Sequence, residues 1–139
     1  MKRTQGAARL VLIGAVWVCG LIWPGSASAQ SAIRGLSAEQ FTVSMSLLPD
    51  GSINVRETVA FRFRERTFSE VEREIPLRRL DGIIDVRAYM DGTPLPEGRD
   101  EGQVRIRTGR RSLRVTWHFP DTVDQTRTFT LEYRAMGAL

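Results

Sequence analysis

Cysteine is nearly absent from this chain, and its position removes what is left of thiol chemistry. The one cysteine of the 139 residues is Cys19. It lies in an apolar stretch near the N-terminus, so residues 30–139 can form no disulfide and no thiolate site. Cys19 also fails as a lipid-attachment site, because Val18 before it is not small. Histidine is as scarce. His118 stands alone, and a single histidine without cysteine cannot assemble the usual zinc sites. No Gly-x-Ser-x-Gly turn is present to present a serine nucleophile. No Asp-rich loop of the EF-hand type is present to gather oxygen ligands around calcium. No metal, cofactor or catalytic residue is expected. Lysine is almost missing as well, with Lys2 the only one.

What the chain does have begins with a leader. Lys2, Arg3 and Arg9 are followed by the apolar run Leu10 to Trp23, a Pro24-Gly25 break, and Ala27-Ser28-Ala29. A basic start, a short apolar segment and small residues at a cleavage site describe a secretory signal peptide. The run is shorter than the ~20 residues that span a bilayer comfortably. We expect a signal-peptide helix over residues 1–29, and a domain over residues 30–139 that is exported to the periplasm or its equivalent. That domain has 110 residues, enough to bury a core unaided. Removing the leader lowers the cations from 20 to 17 against 16 acids, a net charge of about +1. Such a balance argues against a dedicated nucleic-acid binder, which needs a basic footprint to neutralise phosphates.

From Phe41 onward, apolar residues recur at every second position. Phe41, Val43, Met45 and Leu47 precede the turn Pro49-Asp50-Gly51, and Ile53, Val55, Val59, Phe61 and Phe63 follow it. Two alternating runs around Asp-Gly read as a hairpin. Shorter runs follow around Ile75-Pro76-Leu77, Ile84 to Met90, and Val104 with Ile106. Leu113 to Phe119 and Phe129 to Ala135 complete the series. About seven antiparallel strands of this kind, one face apolar and one polar, predict an all-β, immunoglobulin-like β-sandwich.

The segments Leu48 to Val59, Phe61-Arg62-Phe63, Arg73-Glu74-Ile75-Pro76 and Phe129 to Leu139 together resemble the YciQ-like predicted membrane proteins, catalogued as domain of unknown function 2207. The resemblance covers most of residues 37–139. It implies an extracytoplasmic β-domain attached to transmembrane helices, in a protein whose activity is not established. Partners would then be a membrane or envelope component, with the transmembrane segments lying outside this chain. The sequence stops at Leu139 in or just after a strand, so a fragment truncated at its C-terminus is expected. The leading expectation is a non-enzymatic recognition or structural domain. The alternatives are a free-standing soluble periplasmic binding domain and, further off, an envelope hydrolase with its catalytic part missing.

Few residues stand out as candidate sites. Glu57 falls on the apolar parity between Val55 and Val59. A carboxylate there must reach the rim, titrate upward or meet a cation, and Arg73 is the expected partner in a structural ion pair. Arg105, Arg107, Arg110, Arg111 and Arg114 cluster on one predicted hairpin. They could meet an anionic partner, or they could be a solvated face or a charge-blunted edge. His118, on the polar parity, should face solvent. Asp100-Glu101 and Asp121 with Asp124 read as loop solvation. Trp117, Phe119 and Tyr133 read as core rather than as a carbohydrate platform.

Overall fold

The alternating runs become strands, and their parity decides which side of each strand is buried. The computed structural model describes residues 9–13, of which only the backbone is considered, and residues 35–138. The rest of the expected signal helix, the Ala27–Ala29 cleavage site and Cys19 lie outside the described residues. Nine strands run in chain order: β1 Arg9–Ile13, β2 Leu36–Leu47, β3 Ile53–Phe63, β4 Phe68–Pro76, β5 Gly82–Met90, β6 Thr93–Pro94, β7 Gln103–Thr108, β8 Ser112–Thr122 and β9 Gln125–Met136. They form a four-stranded sheet, ordered β1-β4-β8-β7, and a five-stranded sheet, ordered β2-β3-β9-β5-β6. From Leu36 onward every pairing between strands is antiparallel. β1 adds to β4 in parallel, with Arg9 opposite Glu70 and Ile13 opposite Glu74. No helix among the described residues is long and apolar enough to cross a membrane.

The inner faces interlock through aromatics. Phe63 and Phe68 pack at 5.0 Å between ring centroids, Phe119 and Phe129 at 5.4 Å, and Trp117 meets Phe129 edge-on at 5.8 Å. All five are buried. Each such ring stabilises the fold by roughly 1.5–3 kcal/mol relative to exposure. The Trp117 indole N–H donates to the Tyr89 carbonyl at 3.2 Å, so its polar edge is satisfied inside the sandwich.

Turn chemistry sets the registers. Asp91 and Gly92 have φ of 50° and 80°. Positive φ at both central residues is the type I′ geometry that matches strand twist, and it joins β5 to β6. A bulge between Ala38 and Gln40 shifts β2, so that Leu36 and then Phe41, Val43, Met45 and Leu47 fall on the inner side. Another interrupts β5 between Ile84 and Arg87, where Asp85 takes a φ of 55°.

Three features differ from the alternation as read. β4 runs the full nine residues and starts at Phe68, well before the run read around Ile75-Pro76-Leu77, with Pro76 as its last residue. β8 continues through Pro120 to Thr122. Proline is tolerated there because it falls in the register shift between the Glu70–His118 and Phe68–Thr122 pairs, where the ladder is interrupted. Most notably, the inner-parity side chains of β2 from Phe41 onward are not covered, although Leu36 is. Phe41 is 51% exposed, Met45 56% and Leu47 63%. β2 is the edge strand of its sheet, and period two sets its parity without supplying a neighbour to pack on.

Candidate functional site

β3 carries one charged residue into the core. Glu57 is opposite Leu131 of β9 in the ladder and is only 5% exposed. Across the sandwich, Arg73 of β4 presents its guanidinium as a fork. Nε donates to Glu57 Oε2 at 2.8 Å and Nη2 donates to Oε1 at 2.9 Å. Its third nitrogen, Nη1, donates to the Glu74 carbonyl at 3.0 Å. The Tyr133 hydroxyl donates to Glu57 Oε1 at 3.2 Å. Two parallel charge-assisted bonds hold both position and orientation, which a point charge could not do. Burial, and next the negative charge of Glu57, push the Tyr133 phenol far above its ordinary value. The phenol is therefore locked as a donor. The constellation ties the two sheets together, and its oxygens are already engaged by the protein.

The β7–β8 hairpin sorts the five arginines differently from their spacing in sequence. Arg107 and Arg114 are directly opposite each other, and Arg105 is opposite Thr116. Like charges in register repel. The next strand supplies the answer, because Glu70, Glu72 and Glu74 of β4 pair with His118, Thr116 and Arg114. Arg114 reaches Glu74 at 3.5 Å, Thr116 Oγ1 donates to the buried Glu72 at 3.3 Å, and His118 Nδ1 lies 3.5 Å from Glu70. Arg105 also has an interaction partner. This acidic ladder was not singled out in the sequence, although Glu-Val-Glu-Arg-Glu is itself a period-two pattern. It splits the cluster. Arg105 and Arg114 belong to a paired sheet face, whereas Arg107, Arg110 and Arg111 remain exposed toward the tip.

A second pair, Arg78 and Arg79, joins that tip. The Leu80 N–H donates to the Leu77 carbonyl at 3.1 Å, which puts Arg78 and Arg79 at the two central positions of a turn. The Gly109 N–H donates to the Ser112 carbonyl at 2.9 Å, which does the same for Arg110 and Arg111. The two turns are joined directly, because the Leu77 N–H donates to the Arg111 carbonyl at 2.9 Å. Both arginine pairs are exposed. The sequence signal was available in the Arg-Arg dipeptide just past Pro76. What it lacked was any indication that this turn would sit beside the hairpin.

The remaining candidates resolve locally. His118 is half-buried beside Glu70 rather than open to solvent, and its Nε2 has no hydrogen-bond partner among the described residues. Asp100 makes a small turn with Gln103, through reciprocal bonds of 3.0 and 3.1 Å. Asp121 and Asp124 are exposed, and Asp124 takes positive φ in the β8–β9 turn. Trp117, Phe119 and Tyr133 are buried. Among the described residues no group of three His, Cys, Asp or Glu side chains is arranged to hold a metal ion. A shallow groove of about 420 Å³ crosses the outer face of the five-stranded sheet between Ser44, Arg56, Asp85 and Arg134. Its charges largely answer each other. Arg56 meets Glu132 at 2.7 Å, and Arg134 bonds Ser52 and Asp50. The Ser52 hydroxyl and N–H, more than Arg134, hold the Asp50 carboxyl below its usual value.

No curated protein and no solved structure matches the chain. A family model does, over residues 37–139, and its description is the predicted membrane protein (DUF2207) N-terminal domain. That match spans every strand from β3 to β9 and nearly all of β2, including the Glu57–Arg73 pair and both arginine turns. The chain belongs to the family of predicted membrane proteins of unknown function that carry this N-terminal domain.

Proposed function

We propose that this chain is the extracytoplasmic recognition or structural domain of its membrane protein, acting by surface contact and without a reaction of its own. The observation that carries the reading is the state of Glu57. It is the carboxylate that the sequence places on the apolar parity of its strand, and Arg73 and Tyr133 saturate it inside the core. A group so engaged can hold two sheets in register but has no open side for a substrate. Function then falls to the loops and strand faces that a rigid sandwich presents. The leader supports the extracytoplasmic side, and the family supports attachment to a membrane.

The test is thiol accessibility. Cys19→Ala removes the one native thiol, and Arg99→Cys places a new one in an exposed loop. In intact cells with a permeabilised outer layer, a membrane-impermeant maleimide should label the introduced thiol on protein recovered in the membrane fraction. Labelling that appears only after the cytoplasm is opened would remove the extracytoplasmic assignment.

A further inference from the structure

We infer that the end of the sandwich carrying the two arginine turns is a docking surface for anionic lipid headgroups, which seats the domain on its own membrane. The inference rests on the membrane-attached reading above and names the partner of that domain. Three observations converge on it.

The first is that five arginines gather at one end. Arg78 and Arg79 occupy one turn, Arg110 and Arg111 the adjoining one, and Arg107 lies one residue before the end of β7. Among the described residues none of them takes part in an ion pair. Exposed guanidinium groups suit phosphate, whose oxygens accept their paired N–H bonds.

The second observation is polarity. The opposite end is built from the loops after β3, β5 and β8 and the turn before β7. It carries Glu65, Asp91, Asp100, Glu101, Asp121 and Asp124 beside Arg64, Arg66 and Arg99, with Asp91 paired to Arg127, so acids outnumber cations there by a small margin. A domain of nearly neutral charge thus has a basic end and a mildly acidic one, and a negative surface attracts the first in preference to the second.

The third is the path of the chain. The Asp81 N–H donates to the Met136 carbonyl at 2.9 Å, and Gly82 pairs with Met136. The end of β9 is therefore two residues along from the Arg78-Arg79 turn. In this family the domain is the N-terminal part of a membrane protein, so the membrane portion follows β9. The basic end is the end nearest the bilayer. An acidic soluble partner would have no reason to require that coincidence, whereas a headgroup surface does.

The experiment is cosedimentation of the full 139-residue chain with phosphatidylcholine vesicles, with and without phosphatidylglycerol, at low and high salt. We expect binding only with phosphatidylglycerol, weakened by salt as exposed charges are screened. Each of Arg78, Arg79, Arg110 and Arg111 changed to Ala should weaken it about fivefold. The fourfold reversal R78E/R79E/R110E/R111E should reduce it to the level of neutral vesicles. Arg64 and Arg66, at the other end, should tolerate reversal with unchanged binding. All four target side chains are exposed, and an unchanged thermal melt shows that the variant is folded. Salt-insensitive binding, equal in wild type and variant, would be insertion of the apolar leader and would overturn the inference. So would capture of polyglutamate by wild type that ignores phosphatidylglycerol, which would indicate an acidic protein partner. Failure here with the expected maleimide labelling of the Arg99→Cys variant would defeat the docking surface alone. Failure of the labelling would defeat the reading beneath it.

Discussion

Val43 stands directly opposite Glu57 in the β2–β3 ladder, yet the valine is 40% exposed and the glutamate 5%. Neighbours on one face of one sheet thus have the reverse of the burial their chemistry suggests. Val43 sits on the edge strand and Glu57 on the strand inside it, and Arg73 makes the buried carboxylate tolerable.

From this difference in burial follows a graded series of stabilities. Val43→Thr and Met45→Thr should each change unfolding free energy by no more than about 0.5 kcal/mol, as for ordinary surface sites. Phe63→Ala or Phe129→Ala should each cost about 3–5 kcal/mol, because both rings are enclosed in the aromatic cluster. Urea denaturation measures both. A large loss at Val43 or Met45 would mean that β2 is covered in solution.

The Tyr133 phenol supplies a pH dependence. Its native pKa is raised, chiefly by burial and next by Glu57. The unfolded chain therefore loses this proton at an ordinary tyrosine pKa while the native chain keeps it. Stability from this group is complete below about pH 10 and declines as pH rises above it. In Tyr89→Phe, where Tyr133 is the only tyrosine, phenolate absorbance should appear only together with unfolding. A phenolate signal from folded protein would show that the pocket is open to water.

Gly35 and Gly51 both adopt positive φ, 85° and 82°, but their surroundings differ. A Cβ on Gly35 would lie 2.1 Å from the Arg64 carbonyl oxygen, whereas one on Gly51 would meet nothing within 4 Å. Gly51→Ala should cost about 1 kcal/mol, from backbone conformation alone. Gly35→Ala should cost clearly more, because the Arg64 backbone must shift and its 2.6 Å bond to the Gly35 carbonyl is disturbed. Thermal melts of the two variants give the comparison.

The strands and the sandwich were legible because period two is imposed by the pleat itself, and a charged residue on the apolar parity of β3 marked Glu57 for the same reason. Arg73 was the partner expected for it, and the two meet across the sheets at 2.8 and 2.9 Å. The exposure of β2 was not legible, because parity says which side a residue faces and not whether anything lies there. The Arg78-Arg79 turn could not be linked to Arg110-Arg111 by inspection, since a backbone bond between Leu77 and Arg111 joins segments far apart in the chain. Neither could the pairing of Arg114 with Glu74, which depends on β4 and β8 being neighbours.

A double-mutant cycle on Glu57 and Arg73 tests most directly whether their constellation in the core is a structural lock. Glu57→Leu and Arg73→Met should each cost about 3–5 kcal/mol, because each strands a buried charge. The double variant should cost far less than the sum, since apolar side chains of similar size then fill the site. Additive losses, or single losses below about 0.5 kcal/mol, would contradict the lock and reopen Glu57 as a group free to act on something else.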